Sequence, residues 1–409
     1  MGSSYSGLNI LYLIQYFGSP DDSWVAGRSF EFVRYWARKG VSVTVVCSDA
    51  YINDPKKVKS WFDEGITLRI IHQPYRNEMS AVRRAFAFMA FYLKALLVCI
   101  QNPKFDLIYA SSTPLSVGLL GAHLASLFRI PLYFEVRDLW PDFPIQMGAV
   151  TSKTLKKLLY KIENYIYQQA EKIISLSPTA SKTLVEQKGV KNARIITMPN
   201  GTTFPYFKPT RTKRQLIQTT SPALITYAGS FGKANNISWL MDFCEVLLNS
   251  GKSSKVRIRL IGSGSERPGV LRWYKKLTAR QKNIIAILPV MPRREVANWL
   301  IASDFSIITF LPIPSLAATS PNKFFDALST GSIPVTNHRG WVGELIAEES
   351  LGIVSESPLE AAREVLQLCA GNEPNTMRQM QKRCLKTAKY YRRDSMAQQL
   401  LNEFVQYYK

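Results

Sequence analysis

Short apolar runs alternate with helix-length segments along this chain, an order that leaves few folds open. NILYLIQY (residues 9–16) has strand length and is apolar enough to be covered on both faces. A loop carrying Gly18, Pro20, Asp21 and Asp22 follows, then the helical stretch GRSFEFVRYWARKG, then a second run, VSVTVVC. Strand, crossover helix, strand is the unit of a parallel sheet, because parallel neighbours need a long connection. FDLIYAS, IPLYFEV and KIISLS continue the series, separated by helix-like segments at 114–128 and 152–170. From 198 to 222 the texture changes to MPNGTTFPYFKPTRTKRQLIQTTSP, rich in Pro, Thr and Lys and without periodicity, which reads as a domain linker. The alternation then resumes with ALITYAG, a helix over 239–248, KVRIRLIGSG, a helix through Tyr274, IIAILPV, a helix after Arg293, and DFSIITF. The predicted class is α/β, with two doubly wound Rossmann-like domains facing each other across a cleft and ligands at the carboxyl ends of strands. The boundaries read as 1–200 for the first domain, 201–222 for the linker, 223–390 for the second domain, and 391–409 for a C-terminal helix packing back on the first.

The balance of 46% hydrophobic and 20% charged residues over 409 positions suits a globular protein and excludes disorder as the default. A net charge of +22 exceeds what solubility requires and points to an anionic partner: nucleic acid, anionic lipid or a phosphorylated substrate. The five cysteines (Cys47, Cys99, Cys244, Cys369, Cys384) lack CxxC spacing, and His72, His123 and His338 share no ligand pattern. Neither a metal site nor a disulfide framework is expected, and a reducing compartment is. The amino terminus lacks the layout of a signal peptide, so the cytoplasm is the expected location. MGSSYS fits the loose myristoylation pattern Met-Gly-x-x-x-Ser, or is an expression remnant.

One helical segment, residues 85–100 (AFAFMAFYLKALLVCI), carries Lys94 as its only charge and is apolar on every face. It is shorter than the roughly 20 residues that span a bilayer. Two readings stand: a helix buried between its sheet and a neighbour, or one whose Phe and Leu face enters a membrane interface with Arg83 and Arg84 on the headgroups. Lys153, Lys156, Lys157 and Lys161 would extend that basic face, or simply form a solvated one.

Glycines mark the turns where strands end: Gly27 before the first helix, Gly229 after ALITYA, and Gly262 and Gly264 after KVRIRLI. Glycine admits close backbone approach, and a helix amino terminus offers free N–H groups to an anion. SPNKFFDALSTG (residues 320–331) places Lys323 and Asp326 three apart on a helix, either as an ordinary surface pair or as groups that hold a nucleotide.

The order and spacing of these pieces resemble the retaining glycosyltransferases of family 4, of the GT-B type, over nearly the whole chain. SPNKFFDALSTGSIPV is similar to the family's donor segment, which implies Asp326 at the nucleotide ribose, Lys323 at the diphosphate, and Ser320 and Asn322 toward sugar or phosphate. MPNGTTFPYFKP resembles the family's entry to the linker. YAGSFGKANN resembles the first donor loop, implying Gly229 and Ser230, and IGSGSER the second, implying Gly262, Gly264 and Glu266. PVMPRREVANWLIASD is similar to the stretch that brackets the base around Val290, and EVRDLWPDFP to a variant among transferases of bacterial surface polysaccharides such as O-antigen, capsule and exopolysaccharide. Where many members carry two glutamates spaced EX7E, this chain has Ala318 and Asp326, and where they carry Arg and Lys in the first donor loop it has Ser230 and Asn236, leaving Lys233 as the local cation.

The resemblance implies a metal-independent transfer with no cofactor beyond the nucleotide-sugar donor, UDP being the nucleotide most used in the family. Lys323, Lys233 and Arg28, beside Gly27, are the candidates to stabilise the departing diphosphate, with Arg28 either reaching the phosphates or remaining a helix cation. Asp138 is the carboxylate expected near the reacting sugar, with Glu135 and Arg137 as competitors and an Arg137–Asp138 structural pair as the alternative. The expected acceptor is a polyprenyl-diphosphate-linked or other lipid-linked saccharide. It would be reached at the inner face of the cytoplasmic membrane through an anionic surface that Arg83, Arg84 and Lys94 would meet. No nucleic acid is expected as a partner. A nucleotide-sugar epimerase of the same architecture is the nearest alternative, and a basic nucleic-acid-binding or modified-base glucosylating protein the next.

Overall fold

The computed structural model describes residues 5, 7–22, 27–60, 65–75, 79–101, 104–203, 222–370 and 374–408. Most of the linker read from the sequence, 204–221, and the MGSSYS opening apart from Tyr5 lie outside the described residues. The chain divides into two compact units, one formed by Met1–Asn200, Ala318–Ser320 and Arg393–Lys409, the other by Gly201–Ala317 and Pro321–Arg392.

The first unit runs β1 (Asn9–Tyr16), α1 (Arg28–Arg38), β2 (Ser42–Ser48), α2 (Pro55–Lys59), β3 (Ile66–Ile71), α3 (Ala81–Ile100), β4 (Leu107–Ser111), α4 (Leu115–Phe128), β5 (Leu132–Val136), α5 (Asp142–Gln146), α6 (Lys153–Gln169), β6 (Lys172–Ser175), α7 (Pro178–Glu186) and β7 (Ile195–Thr197). Its sheet is wholly parallel, in the order β3-β2-β1-β4-β5-β6-β7. The second unit runs β8 (Ala223–Ala228), α8 (Ile237–Asn249), β9 (Val256–Ile261), α9 (Arg267–Lys276), α10 (Ala279–Lys282), β10 (Ile285–Leu288), α11 (Arg293–Ala302), β11 (Phe305–Ile308), α12 (Pro314–Ala317), α13 (Asn322–Thr330), β12 (Ile333–Thr336), α14 (Trp341–Glu348), β13 (Ile353–Val354), α15 (Pro358–Cys369) and α16 (Pro374–Thr387). Its sheet is also parallel, in the order β10-β9-β8-β11-β12-β13. Helices cover both faces of each sheet, which is why the strands read as continuous apolar runs and not as alternating ones.

The last helix, α17 (Arg393–Tyr408), belongs to the first unit and lies on α1. Trp36 donates its indole N–H to Ala397 O at 2.9 Å, and Phe404 packs edge-on against Trp36 and Tyr133.

Arg28 sits under this packing, and the structure corrects its reading as a cation for a diphosphate. Its side chain is fully buried, with Nε 2.6 Å from Glu135 Oε2 and Nη1 donating to Pro199 O at 2.5 Å. Burial alone would raise the Glu135 carboxyl, but Arg28 and Arg137, with hydroxyl donors from Tyr109 and Ser111, hold it below its ordinary value. The pair ties α1 to β5, and it also withdraws Glu135 as a competitor of Asp138.

The structure also settles the reading of the apolar helix. Ser80 caps α3 by accepting from Arg83 N, and the helix extends over 20 residues. Phe91, Ala95 and Cys99 enter the core of the unit. Val82, Phe86, Met89, Leu93, Leu97 and Ile100, however, are between 44% and 72% exposed. Their spacing of three and four residues makes them one continuous stripe. Burial on all sides is therefore excluded, and among the described residues no helix is long and apolar enough to cross a membrane.

A buried ion pair broken on one side leaves an uncompensated charge, at a cost of about 3–5 kcal/mol. Arg28→Met should lower the urea midpoint accordingly, and adding Glu135→Leu should recover much of the loss. Unfolding curves of the single and double variants test this, and a silent Arg28→Met would contradict it.

Candidate functional site

In a doubly wound parallel sheet, polar groups collect at the carboxyl ends of the strands. In the second unit the loops after β8 and β9 interlock there. Gly229 N donates to Ile261 O at 3.0 Å, Phe231 N to Ser263 O at 2.8 Å, and Glu266 N to Phe231 O at 2.7 Å. Gly262 (φ 155°) and Gly264 (φ 149°) are required by this contact: a Cβ would lie 1.9 Å from Gly229 O in the first case and 2.6 Å from Phe231 O in the second. Their first role is thus loop on loop, which fixes the edge that any ligand would meet.

Beneath these loops lies α13. It leaves through Gly331 at φ 66°, the left-handed conformation that glycine tolerates. Every residue from Phe324 to Thr330 is buried, so the reading of Lys323 and Asp326 as an ordinary surface pair falls. Lys323 Nζ donates to Asn235 Oδ1 at 2.8 Å and lies over the rings of Tyr227, at 4.8 Å, and Phe310, at 4.9 Å. It also reaches Gly229, where a Cβ would be 3.3 Å from the ammonium. Burial lowers the Lys323 pKa to about 7. Phe310 is held in turn by Asn337, whose amide pairs with both its backbone N, at 3.0 Å, and its O, at 2.9 Å. Thr309 Oγ1 anchors the first loop through Asn235 O at 2.6 Å.

One helical turn on, Asp326 is 5% exposed, and both of its carboxylate oxygens accept from Arg293 Nη2, at 2.6 and 2.8 Å. Ser329 and Thr330 hydroxyls donate to Asp326 O and fix the backbone below it.

The structure therefore brings Lys323, Gly229, Ser230, Gly262, Gly264 and Glu266 into one neighbourhood, with Asp326 a turn away. Ser230 is fixed by its carbonyl, which accepts from Tyr227 OH at 2.6 Å, and Glu266 precedes α9 without capping it. Lys233 is exposed on the same loop, Asn322 opens α13, and Val290 is exposed ahead of α11. The remaining candidates belong to the first unit. Gly27 precedes α1 in an extended conformation. Asp138 is half-buried just past β5, and burial raises its pKa against the opposing pull of Arg137. Ser320 is buried, its hydroxyl accepting from Asn200 N at 3.0 Å, so that group already serves the 199–201 turn. Arg83 is exposed, Arg84 half-buried, and Lys94 donates to His72 O at 2.8 Å and to Gln73 Oε1 at 3.3 Å. Among the described residues no group of three or more His, Cys, Asp or Glu could hold a metal ion. Sequence reasoning missed Arg293, Asn235, Tyr227, Phe310 and Asn337.

Residues 26–201 match the model of the glycosyl transferase 4-like domain. The first unit carries that domain. No curated protein matches the chain. Among solved structures, HepE of Anabaena in complex with UDP superposes with a TM-score of 0.71 at 15% identity, over 98% of this chain and 100% of that one. Sucrose-phosphate synthase from Thermosynechococcus elongatus gives 0.72 at 15% identity, over 98% and 99%. WaaG, a glycosyltransferase involved in lipopolysaccharide biosynthesis, gives 0.66 at 13%, over 97% and 99%. At these identities the likeness establishes the fold, which is GT-B, and with the domain match the resemblance to the family 4 glycosyltransferases holds.

A lysine whose pKa falls from 10.5 to about 7 on folding is disfavoured as a cation in the folded state alone. The fold therefore loses stability, relative to the unfolded chain, as pH falls through that window, and loses no more below it. In thermal unfolding, the advantage of Lys323→Met over wild type should widen between pH 10 and pH 7 and level off beneath. A constant difference across the window would contradict the desolvation.

Proposed function

We propose that this protein is a retaining glycosyltransferase that moves a sugar from a nucleotide diphosphate sugar, UDP-linked, to a lipid-linked saccharide in bacterial surface-polysaccharide synthesis. The observation that carries the reading is a desolvated lysine on α13, one turn from a buried carboxylate, at the carboxyl edge of the second sheet of a GT-B chain. HepE in complex with UDP and with UDP-glucose supports a uridine donor.

In the proposed reaction the vicinal hydroxyls of the ribose donate to Asp326, and the diphosphate lies toward Lys323 and the amino terminus of α13. An anion beside Lys323 restores its proton, and the resulting ammonium is largely excluded from water and so strongly stabilises the charge that develops on departure. Lys233 adds a second cation from the same loop. The bond from the anomeric carbon to the β-phosphate oxygen breaks while the acceptor oxygen bonds to the same face, and the acceptor proton passes to the leaving phosphate. No protein base or metal is required for that step.

A membrane-borne acceptor is supported by the exposed stripe on α3. Leu127 on α4 and Leu155 and Leu158 on α6 are also exposed, and both α3 and α6 pack on α4. Lys153, Lys157 and Lys161 are exposed on α6 and Arg83 on α3, so apolar and basic groups share this surface, the composition that suits an anionic bilayer interface. The location that follows is peripheral, on the inner face of the cytoplasmic membrane.

Stabilisation by UDP in a thermal-shift panel with GDP, ADP and their sugars selects the base. Lys323→Ala and Asp326→Ala should each lose turnover by about 100-fold or more at saturating donor. Near-normal initial rates in both would overturn the assignment, and turnover sustained on donor alone would favour an epimerase. Binding to vesicles of anionic phospholipid should weaken with salt and fall sharply in the double variant Phe86→Glu, Leu93→Glu. Unchanged binding by that variant would exclude the α3 surface.

A further inference from the structure

Helices cover both faces of a doubly wound sheet, and one part of the first sheet departs from that rule. β3 is its edge strand, and Thr67, Arg69 and Ile71 share one face of it. Ile71 joins the core with Phe91 of α3, whereas Thr67 and Arg69 are exposed. The register sets these residues in rows. Leu11, Thr44 and Thr67 are neighbours across β1, β2 and β3, and Val46 and Arg69 are neighbours in the next row on the same face. Together with the last turn of α3 and the segment leading into β4, the rows line a groove of about 470 Å³, a volume within the range of ligand sites. Its floor is apolar, with Leu11, Val46 and Cys99 buried and Phe105 half-buried. Arg69 and Lys104 are the charged groups of the lining, and both are exposed. Among the described residues neither has an ion-pair or hydrogen-bond partner. The acid that follows Phe105 in the chain, Asp106, accepts from Asn9 N at 2.7 Å. The groove lies toward the amino ends of the strands, since Lys104 and Phe105 lead into the start of β4, whereas Asp138 stands past the end of β5 at the opposite edge.

Two unpaired cations over an apolar floor fit a ligand that is both anionic and apolar. A guanidinium binds phosphate through two N–H groups, and a lysine adds a compact point charge. Leu97 and Ile100, exposed at the end of the α3 stripe, flank Val98 and Cys99, which line the groove. The apolar floor therefore borders the surface assigned above to the bilayer. Inorganic phosphate would leave that floor in contact with water, and a nucleic acid offers no chain to cover it. We propose that the groove is a seat for one anionic phospholipid, its phosphate on Arg69 and Lys104 and the start of an acyl chain along Leu11, Val46 and Phe105. The proposal rests on the membrane reading of α3 and deepens it: attachment has a part that selects the lipid, held by named side chains, besides the partitioning of the apolar stripe.

The test uses lipids short enough to stay monomeric, so that binding in the groove is read apart from binding to a bilayer. In calorimetry with the full chain, dihexanoyl phosphatidylglycerol below its micellar concentration should saturate one site. Dihexanoyl phosphatidylcholine and inorganic phosphate should each bind about tenfold more weakly or less. Arg69→Gln and Lys104→Gln should each weaken phosphatidylglycerol binding by about tenfold or more, as expected for a hydrogen bond to a charged group. Thr67→Trp, which fills the groove from an exposed position on the edge strand, should abolish it. UDP binding, which the reading above places in the other unit, should be unchanged in all three. The double variant Phe86→Glu, Leu93→Glu should keep monomer binding while losing vesicle binding. Equal affinity for phosphatidylcholine or inorganic phosphate, or undiminished binding by the folded double variant Arg69→Gln, Lys104→Gln, would overturn the proposal. Vesicle binding with no saturable monomer site would overturn it while leaving the α3 reading intact. A monomer site without vesicle binding would remove the α3 reading and leave the lipid seat.

Discussion

Taking a charge out of water costs several kcal/mol unless a partner of opposite sign is in place, and the two units of this protein meet that constraint in opposite ways. In the first unit the charge is fully compensated. Arg28 is matched by Glu135, which also accepts from Tyr109 and Ser111, and the cluster joins α1, β5 and the turn at Pro199. That charge is balanced inside the unit, through Arg28 Nε on the Glu135 carboxylate. In the second unit Lys323 is desolvated beside a neutral amide and two aromatic rings, and its proton is held weakly in consequence. A site with that deficit binds an anion by completing its own electrostatics.

The rest of the second unit serves to keep that deficit in place. Gly262 and Gly264 let the loops after β8 and β9 lock together, Asn235 and Asn337 position the loop and the Phe310 ring, and α13 is buried from Phe324 to Thr330, with Lys323 held by Asn235 and Asp326 by Arg293. The glycines that suggest a ligand in the sequence are thus scaffold glycines as well. The two roles are compatible, because a loop that is rigid before the ligand arrives loses little entropy when it binds.

How far the sequence is legible depends on whether the deciding contact is local. β1 runs over the same residues as the apolar run NILYLIQY, and both parallel sheets follow from the alternation. β3 escapes notice because it is an edge strand with one face half-exposed and Arg69 within it, and β12 because Pro334 argues against a strand from sequence alone. The fate of Arg28 is decided by a residue 107 positions away, and that of Asp326 by one 33 positions away. Neither pairing leaves a local pattern. For α3 the composition is equally apolar on the buried and the exposed sides, so only packing shows which face the core uses and which stripe is left outside.

Amide hydrogen exchange with and without saturating UDP reads the whole chain for the seat of the nucleotide and needs no substitution. Nucleotide binding should slow exchange at 229–236, 262–266 and 322–326, the segments that surround Lys323 and Asp326. Nucleotide binding that leaves all three unchanged and protects another part of the chain would contradict it.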